Sequence, residues 1–190
     1  ADADSIPSMS SEPTSVGTLT LESLVVAAGR PHGDGDPVNP PLVPTSIFRP
    51  GGPTAYAREH NPTWGPLEDA LGQMEQAQAL LFASGIAAIN AVFDLVPEGS
   101  VVVAPDHPYS GTGARLDELA AAGRLTVRRV AMADGAAIAD AAVGAALVWL
   151  ESPTNPLMEV CDLAAAIAAA HSAGALVAVD NTFATVFGQH

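Results

Sequence analysis

The sequence predicts an α/β protein with a mostly parallel sheet, helices on both of its faces and an extended N-terminal arm. Two observations point to this class. From Trp64 onward, short runs that are apolar throughout alternate with segments of helical spacing. Strands that are apolar on both faces are typical of parallel sheets covered by helices. The 190 residues are 48% hydrophobic and 15% charged, which indicates a globular chain able to bury one core.

The N-terminal region contains one predicted helix. Residues 1–18 are acidic and rich in Ser and Pro, so we expect a flexible tail rather than a secretory signal. Leu19–Arg30 has helical spacing and stops at a Gly-Arg-Pro sequence, whereas Pro31–Pro53 is rich in Pro and Gly and predicts an extended arm. We therefore expect the tail, then a helix and arm over 19–63, then the first part of a larger domain over 64–190.

That domain is expected to contain five strands and five helices. The predicted strands are Ala79–Ala83, Val101–Ala104, Leu125–Val130, Ala146–Leu150 and Leu176–Val179. The predicted helices are Trp64–Gln76, Gly85–Leu95, Thr112–Ala122, Ala136–Val143 and Leu163–Ala173. Since open parallel sheets bind ligands beyond the carboxyl ends of their strands, the residues directly after each strand are the first candidates for a site.

Composition excludes several function classes. No apolar run approaches the roughly 18 residues of a membrane span. The net charge is −14, all seven basic residues are Arg and there is no Lys. A surface this negative repels phosphate backbones, so no nucleic-acid partner is expected. The single Cys, Cys161, excludes an internal disulfide, and the five His lack metal-ligand spacing, so no metal is expected. We expect a cytoplasmic protein without a membrane partner.

The first candidate follows the predicted strand Ala79–Ala83. Ser84, Gly85 and Ile86 would begin a helix, where free N–H groups and the helix dipole favour a phosphate. Gly85 would let the backbone approach that phosphate closely. An ordinary Ser N-cap on a buried helix also explains the segment.

Two polar residues follow later strands. Asp180 ends the apolar run LVAVD, where a carboxylate can pair with a protonated ring nitrogen of a pyridine cofactor. A turn or capping role explains Asp180 equally well. Asn155 lies between two prolines in SPTNP, which suits a fixed hydrogen bond to a cofactor oxygen, although an Asx-turn would also account for it.

Three further residues could contact a cofactor that has an aromatic ring and a phosphate group. Tyr109 follows VVVAPD and offers a flat face for stacking, although a packing role is the simpler explanation of the residue alone. Tyr56 and Arg58 lie in the arm, and the Arg guanidinium is a natural fork for phosphate. A surface ion pair is the alternative for Arg58.

Six segments together resemble one family, the Cys/Met-metabolism pyridoxal-phosphate (PLP) enzymes of the cystathionine γ-synthase and γ-lyase group. They are AYAREHNPT, LEDALGQME, LLFASGIAAI, PYSGT, LVWLESPTNPLMEVCDL and ALVAVDNTFAT. The resemblance covers Leu19 to His190 and about the first half of a family member. It implies that the domain is part of the large domain of a fold-type I PLP enzyme, and that the cofactor is pyridoxal 5′-phosphate.

The resemblance also implies roles for individual residues. The main-chain N–H groups of Gly85 and Ile86 would bind the cofactor phosphate, and Tyr109 would stack over the pyridine ring and orient it. The other expected contacts are Asp180 with the ring nitrogen, Asn155 with the ring hydroxyl, Thr182 beside the ring, and Tyr56 and Arg58 with the phosphate of a neighbouring subunit. Glu151 lies in the motif without an assigned role.

The implied reaction is γ-elimination or γ-replacement on sulfur amino acids or activated homoserine, within methionine and cysteine metabolism and trans-sulfuration. The Schiff-base lysine of the family is expected downstream of VDNTFAT, and this chain contains no Lys. We therefore expect the chain alone to be inactive, with that Lys on a separate or cleaved C-terminal polypeptide and homologous subunits in a dimer or tetramer. The alternative is a non-catalytic partner or regulatory subunit of a PLP enzyme.

Overall fold

The computed structural model describes residues 19–189, so the tail predicted for 1–18 lies outside the described residues. Contacts divide the chain into two compact units, one ending at Gln78 and the other beginning at Ala79. The domain boundary expected between residues 63 and 64 stays a prediction.

The first unit contains two helices, α1 (Leu21–Ala27) and α2 (Gly65–Glu75). The intervening chain forms turns, bends and irregular segments, with an isolated antiparallel bridge between Ile47 and Tyr56. A side chain just before α2 contacts this segment: the hydroxyl oxygen of Thr63 accepts a hydrogen bond from the N–H of Val43 at 2.8 Å.

The second unit is built on a four-stranded sheet in which all strands are parallel, in the order β2-β1-β3-β4. The strands are β1 (Val101–Pro105), β2 (Thr126–Val130), β3 (Leu147–Glu151) and β4 (Leu176–Asp180). The helices are α3 (Gly85–Asp94), α4 (Ser110–Ala121), α5 (Gly135–Ala142), α6 (Leu163–Ser172) and α7 (Thr185–Gly188).

The inner strand β3 shows why its sequence is apolar throughout. Leu147 and Trp149 belong to a buried cluster with residues of α3 and α4. Val148 and Leu150 belong to a second cluster with residues of α5 and α6. Because successive side chains point to opposite faces of a strand, a strand covered on both faces buries every residue. The predicted parallel sheet with helices on both faces is confirmed.

The strand predicted at Ala79–Ala83 is wrong, because residues 79–83 form neither strand nor helix. Leu80 is 77% exposed and Phe82 46% exposed, so these two apolar side chains are not buried as in a covered strand. A strand needs backbone partners as well as apolar side chains. Helix α7 was not predicted. From Trp64 on, the other predicted elements agree with the structure to within two residues at each end.

No helix in the described part of the chain is both long and apolar enough to cross a membrane. The cytoplasmic location stays a prediction.

Candidate functional site

A pocket of about 380 Å³ opens at the carboxyl ends of β3 and β4, beside the first turn of α3. Six of the predicted site residues line this pocket: Gly85, Ile86, Tyr109, Asn155, Asp180 and Thr182. Ser84, Glu151 and Phe183 also line it. The sequence order therefore brings distant residues together at the edge where an open parallel sheet binds ligands.

The first turn of α3 forms one wall. Ser84 is the N-cap, and its hydroxyl oxygen accepts a hydrogen bond from the N–H of Ala87 at 3.3 Å. The N–H groups of Gly85 and Ile86 precede the first intrahelical hydrogen bonds and have no partner within the helix. A Cβ built on Gly85 would meet no atom within 4 Å other than those of its two chain neighbours and the backbone of its own helix. The N-cap and the anion site are thus compatible, since they use different N–H groups.

Tyr109 follows the turn after β1 and is the N-cap residue of α4. It is 40% exposed, so its ring is not buried in the core. Gly111 makes room for the ring, because a Cβ at that residue would lie 2.6 Å from Cε1 of Tyr109. This contribution of Gly111, which comes two residues after Tyr109 in PYSGT, was not predicted from the sequence.

The carboxylate of Asp180 is oriented by Thr182. Its Oδ1 accepts hydrogen bonds from the backbone N–H of Thr182 at 3.0 Å and from the Thr182 hydroxyl at 2.5 Å. This is the turn role that the sequence left open for Asp180. Both bonds go to Oδ1, so they fix the carboxylate without using Oδ2.

Glu151 ends β3 and is aligned with Asp180 across the β3–β4 pairing. It is only 3% exposed. Its Oε2 accepts the backbone N–H of Tyr109 at 2.7 Å, and its Oε1 accepts the indole N–H of Trp149 at 3.2 Å. Burial raises the pKa of Glu151, and the nearby Asp180 carboxylate adds to the rise; the Tyr109 N–H, the Trp149 indole and the Thr112 side chain act in the opposite direction. Trp149 and Glu151 are two residues apart in β3 and so lie on the same face of the strand. This spacing is the feature of the sequence from which their hydrogen bond could have been predicted.

The loop after β3 displays Asn155. The hydroxyl oxygen of Ser152 accepts the N–H of Cys161 at 3.0 Å. Thr154 pairs with Glu159 twice, through its own N–H to the Glu159 carbonyl at 2.9 Å and through its hydroxyl oxygen from the Glu159 N–H at 3.0 Å. The peptide bonds before both prolines of SPTNP are cis. These hydrogen bonds hold the loop closed, and Asn155 lies on its pocket side.

The remaining predicted site residues, Tyr56 and Arg58, belong to the first unit. There the guanidinium carbon of Arg58 lies 4.7 Å from the centroid of the Tyr56 ring, within cation–π distance.

Comparisons with known proteins agree with the predicted resemblance. The family model described as "Cys/Met metabolism PLP-dependent enzyme" matches residues 33–190. A putative cystathionine γ-lyase from Streptomyces coelicolor is 40% identical, over 86% of this chain and 44% of the relative. The chloroplastic cystathionine β-lyase from Arabidopsis thaliana is 36% identical, over 86% of this chain and 37% of the relative.

The fold comparison gives the same result. The crystal structure of a cystathionine γ-lyase from Micromonospora echinospora superposes with a TM-score of 0.81 at 36% identity, covering 89% of this chain and 47% of that structure. The chain therefore spans less than half the length of the relatives it matches.

Proposed function

Because this chain belongs to the Cys/Met metabolism PLP-dependent enzymes, we propose that the protein catalyses γ-elimination or γ-replacement on sulfur amino acids or activated homoserine. The observation that carries the proposal is the pocket that gathers the α3 N-terminus, Tyr109, Asn155 and Asp180 at one edge of the sheet. PLP is the cofactor of the family.

The residues of the pocket fit PLP. A volume of about 380 Å³ lies within the range of small-molecule sites. The helix N-terminus suits the phosphate, and no residue from another part of the chain comes within 4 Å of a Cβ built on Gly85. The exposed Tyr109 ring suits an aromatic ring, and the oriented carboxylate of Asp180 suits a protonated ring nitrogen. When bound, PLP supplies an electron sink that stabilises negative charge on the amino-acid substrate.

Each residue has a defined task in this proposal. Gly85 and Ile86 donate backbone N–H groups to the phosphate, and Tyr109 stacks on the ring and orients it. Asp180 keeps the proton on the ring nitrogen, since an adjacent carboxylate favours the charged form of that nitrogen. Asn155 donates its side-chain N–H to the ring hydroxyl. Thr182 flanks the ring and orients the Asp180 carboxylate through its two hydrogen bonds.

Assembly completes the site in this proposal. The guanidinium of Arg58 and the hydroxyl of Tyr56 bind the cofactor phosphate of a neighbouring subunit, in a dimer or tetramer. The lysine that holds the cofactor covalently must come from outside these 190 residues, because they contain no Lys. We propose that a C-terminal part outside these residues carries that lysine and the base that moves protons.

The products of turnover test the reaction. Cystathionine cleaved on the γ side yields cysteine, ammonia and a four-carbon 2-oxo acid, whereas β-cleavage yields homocysteine, ammonia and pyruvate. A γ-replacement joins an activated homoserine ester to cysteine and releases the acid of the ester. We expect one of the two γ outcomes from the protein as isolated with its partners. Pyruvate as the product would contradict the proposed γ-chemistry.

Borohydride reduction followed by intact-mass spectrometry tests the assembly. We expect the cofactor mass on a polypeptide segment that contains a lysine and lies outside these residues. A preparation without any cofactor adduct would instead support the alternative of a non-catalytic partner or regulatory subunit.

A further inference from the structure

The buried carboxylate of Glu151 connects the core to the loop that carries Tyr109. One of its oxygens, Oε1, is 3.2 Å from the indole nitrogen of Trp149, and the other, Oε2, is 2.7 Å from the backbone nitrogen of Tyr109. Trp149 is 4% exposed and packs on Phe93 of α3, with ring centroids 5.2 Å apart. One oxygen of the carboxylate is therefore hydrogen-bonded to a core residue, and the other is hydrogen-bonded to the N-cap residue of α4.

Burying a carboxyl group is costly unless its oxygens are hydrogen-bonded. Glu151 also lies beside Asp180 in the β3–β4 register, so burial and a like charge both oppose its ionised form. The strand could have ended in an apolar residue at this buried position without either cost. The two N–H donors that converge on the separate oxygens give the carboxyl group a specific structural task.

We propose that Glu151 is a positioning residue: it accepts the backbone N–H of Tyr109 and so fixes the ring that faces the cofactor, while Trp149 fixes Glu151. The consequence for the cofactor rests on the proposed function, whereas the hydrogen bond does not. Glu151 acts through Tyr109, because both of its oxygens are occupied by protein donors.

Two substitutions of Glu151 distinguish the effect of losing its hydrogen-bond acceptors from the effect of changing the shape of its side chain. Glu151→Met keeps an unbranched side chain of similar length but removes both acceptors. Glu151→Gln keeps one acceptor oxygen and replaces the other with an amino group, so it can satisfy only one of the two N–H donors. Protection of the Tyr109 amide should therefore decrease from the unsubstituted protein to the Gln variant and further to the Met variant.

Hydrogen exchange measured by mass spectrometry at single-residue resolution tests this order, in the full protein with and without cofactor. We expect the amide of Tyr109 to exchange up to about tenfold faster in Glu151→Met, since this amide loses its hydrogen-bond acceptor. The amide of Ala87, which donates to the Ser84 cap of α3, is the matched control and should not change. An unchanged exchange rate at Tyr109 would overturn the proposal.

If Glu151→Met does not fold, Trp149→Phe replaces it. This variant keeps an aromatic ring but removes the indole N–H, so Glu151 loses the partner that fixes it. We expect about two- to tenfold faster exchange at Tyr109, as for the loss of one neutral hydrogen bond. Exchange equal to that of the unsubstituted protein would refute the role given to Trp149.

The visible circular dichroism of bound PLP is the second readout. We expect Glu151→Met to reduce this signal at saturating cofactor, because the ring of Tyr109 no longer holds one orientation, and Glu151→Gln to restore part of it. Faster exchange at Tyr109 with an unaltered cofactor signal would overturn the positioning role. If the unsubstituted protein binds no PLP, the proposed function fails, while the exchange result without cofactor still decides whether Glu151 positions Tyr109.

Discussion

Gly85→Ala should weaken cofactor binding without reducing the stability of the fold. Gly85 is the first residue of α3 and lines the pocket, and an added Cβ meets no other protein atom within 4 Å. The folded protein without cofactor should accept the methyl group. Because Ala has fewer unfolded conformations than Gly, the free energy of unfolding should stay the same or rise by up to about 1 kcal/mol.

The chain offers a matched control. Gly135 is the first residue of α5, follows a side-chain N-cap as Gly85 does, and also has no other atom within 4 Å of a built Cβ. It is not among the residues that line the pocket. Gly135→Ala should therefore change stability as Gly85→Ala does, without affecting the cofactor.

The two variants should differ in cofactor affinity. A methyl group on Gly85 takes up space that the phosphate needs above the α3 N-terminus, so at least one charge-assisted hydrogen bond is lost. Such bonds contribute about 1.5–3 kcal/mol, which corresponds to roughly 10- to 150-fold weaker binding. Titration of PLP into each variant by absorbance gives the dissociation constants. Equal affinities in the two variants would refute the placement of the phosphate on α3.

Three further predictions concern single side chains. Asp180→Asn keeps an oxygen for the two Thr182 hydrogen bonds but loses the charge opposite the ring nitrogen. Turnover should therefore fall about 10- to 150-fold while thermal stability stays unchanged. Unchanged turnover would exclude the ring contact. Arg58→Ala should weaken PLP binding at least about tenfold in the assembled protein, measured by equilibrium dialysis, and unchanged affinity would contradict the phosphate contact. The pKa of Glu151 is raised from its ordinary 4.5, so its contribution to stability is complete below that pH and is lost as pH rises through the folded-state pKa. The stability of the unsubstituted protein relative to Glu151→Gln, from urea unfolding at several pH values, should therefore decrease with rising pH; a constant difference would show that Glu151 does not titrate in this way.

The fold was largely predictable because β1 and β3 are apolar on both faces and alternate with helices of clear spacing. The strand expected at Ala79–Ala83 was not formed, since an apolar run carries no information about whether a neighbouring strand exists to pair with it. Hydropathy alone cannot distinguish a strand from an extended lead into a helix such as α3.

The pocket was predictable in part. Asn155, Asp180 and Thr182 lie at or just beyond the ends of strands, and parallel strands bring their carboxyl ends to one edge of the sheet. The Glu151 hydrogen bond was not predictable, because its partner Tyr109 is 42 residues away and donates a backbone N–H, which every residue but Pro possesses. The cofactor roles of the pocket residues stay predictions.

In the loop after β3, the residues that hold the backbone in place are different from the residue whose side chain faces the pocket. Its hydrogen bonds use Ser152, Thr154, Glu159 and Cys161, and not the side chain of Asn155. A designer could therefore vary residue 155 while keeping the scaffold that presents it. Among the residues of the pocket, this position is therefore one at which a loss of cofactor binding would report on the ring contact rather than on misfolding.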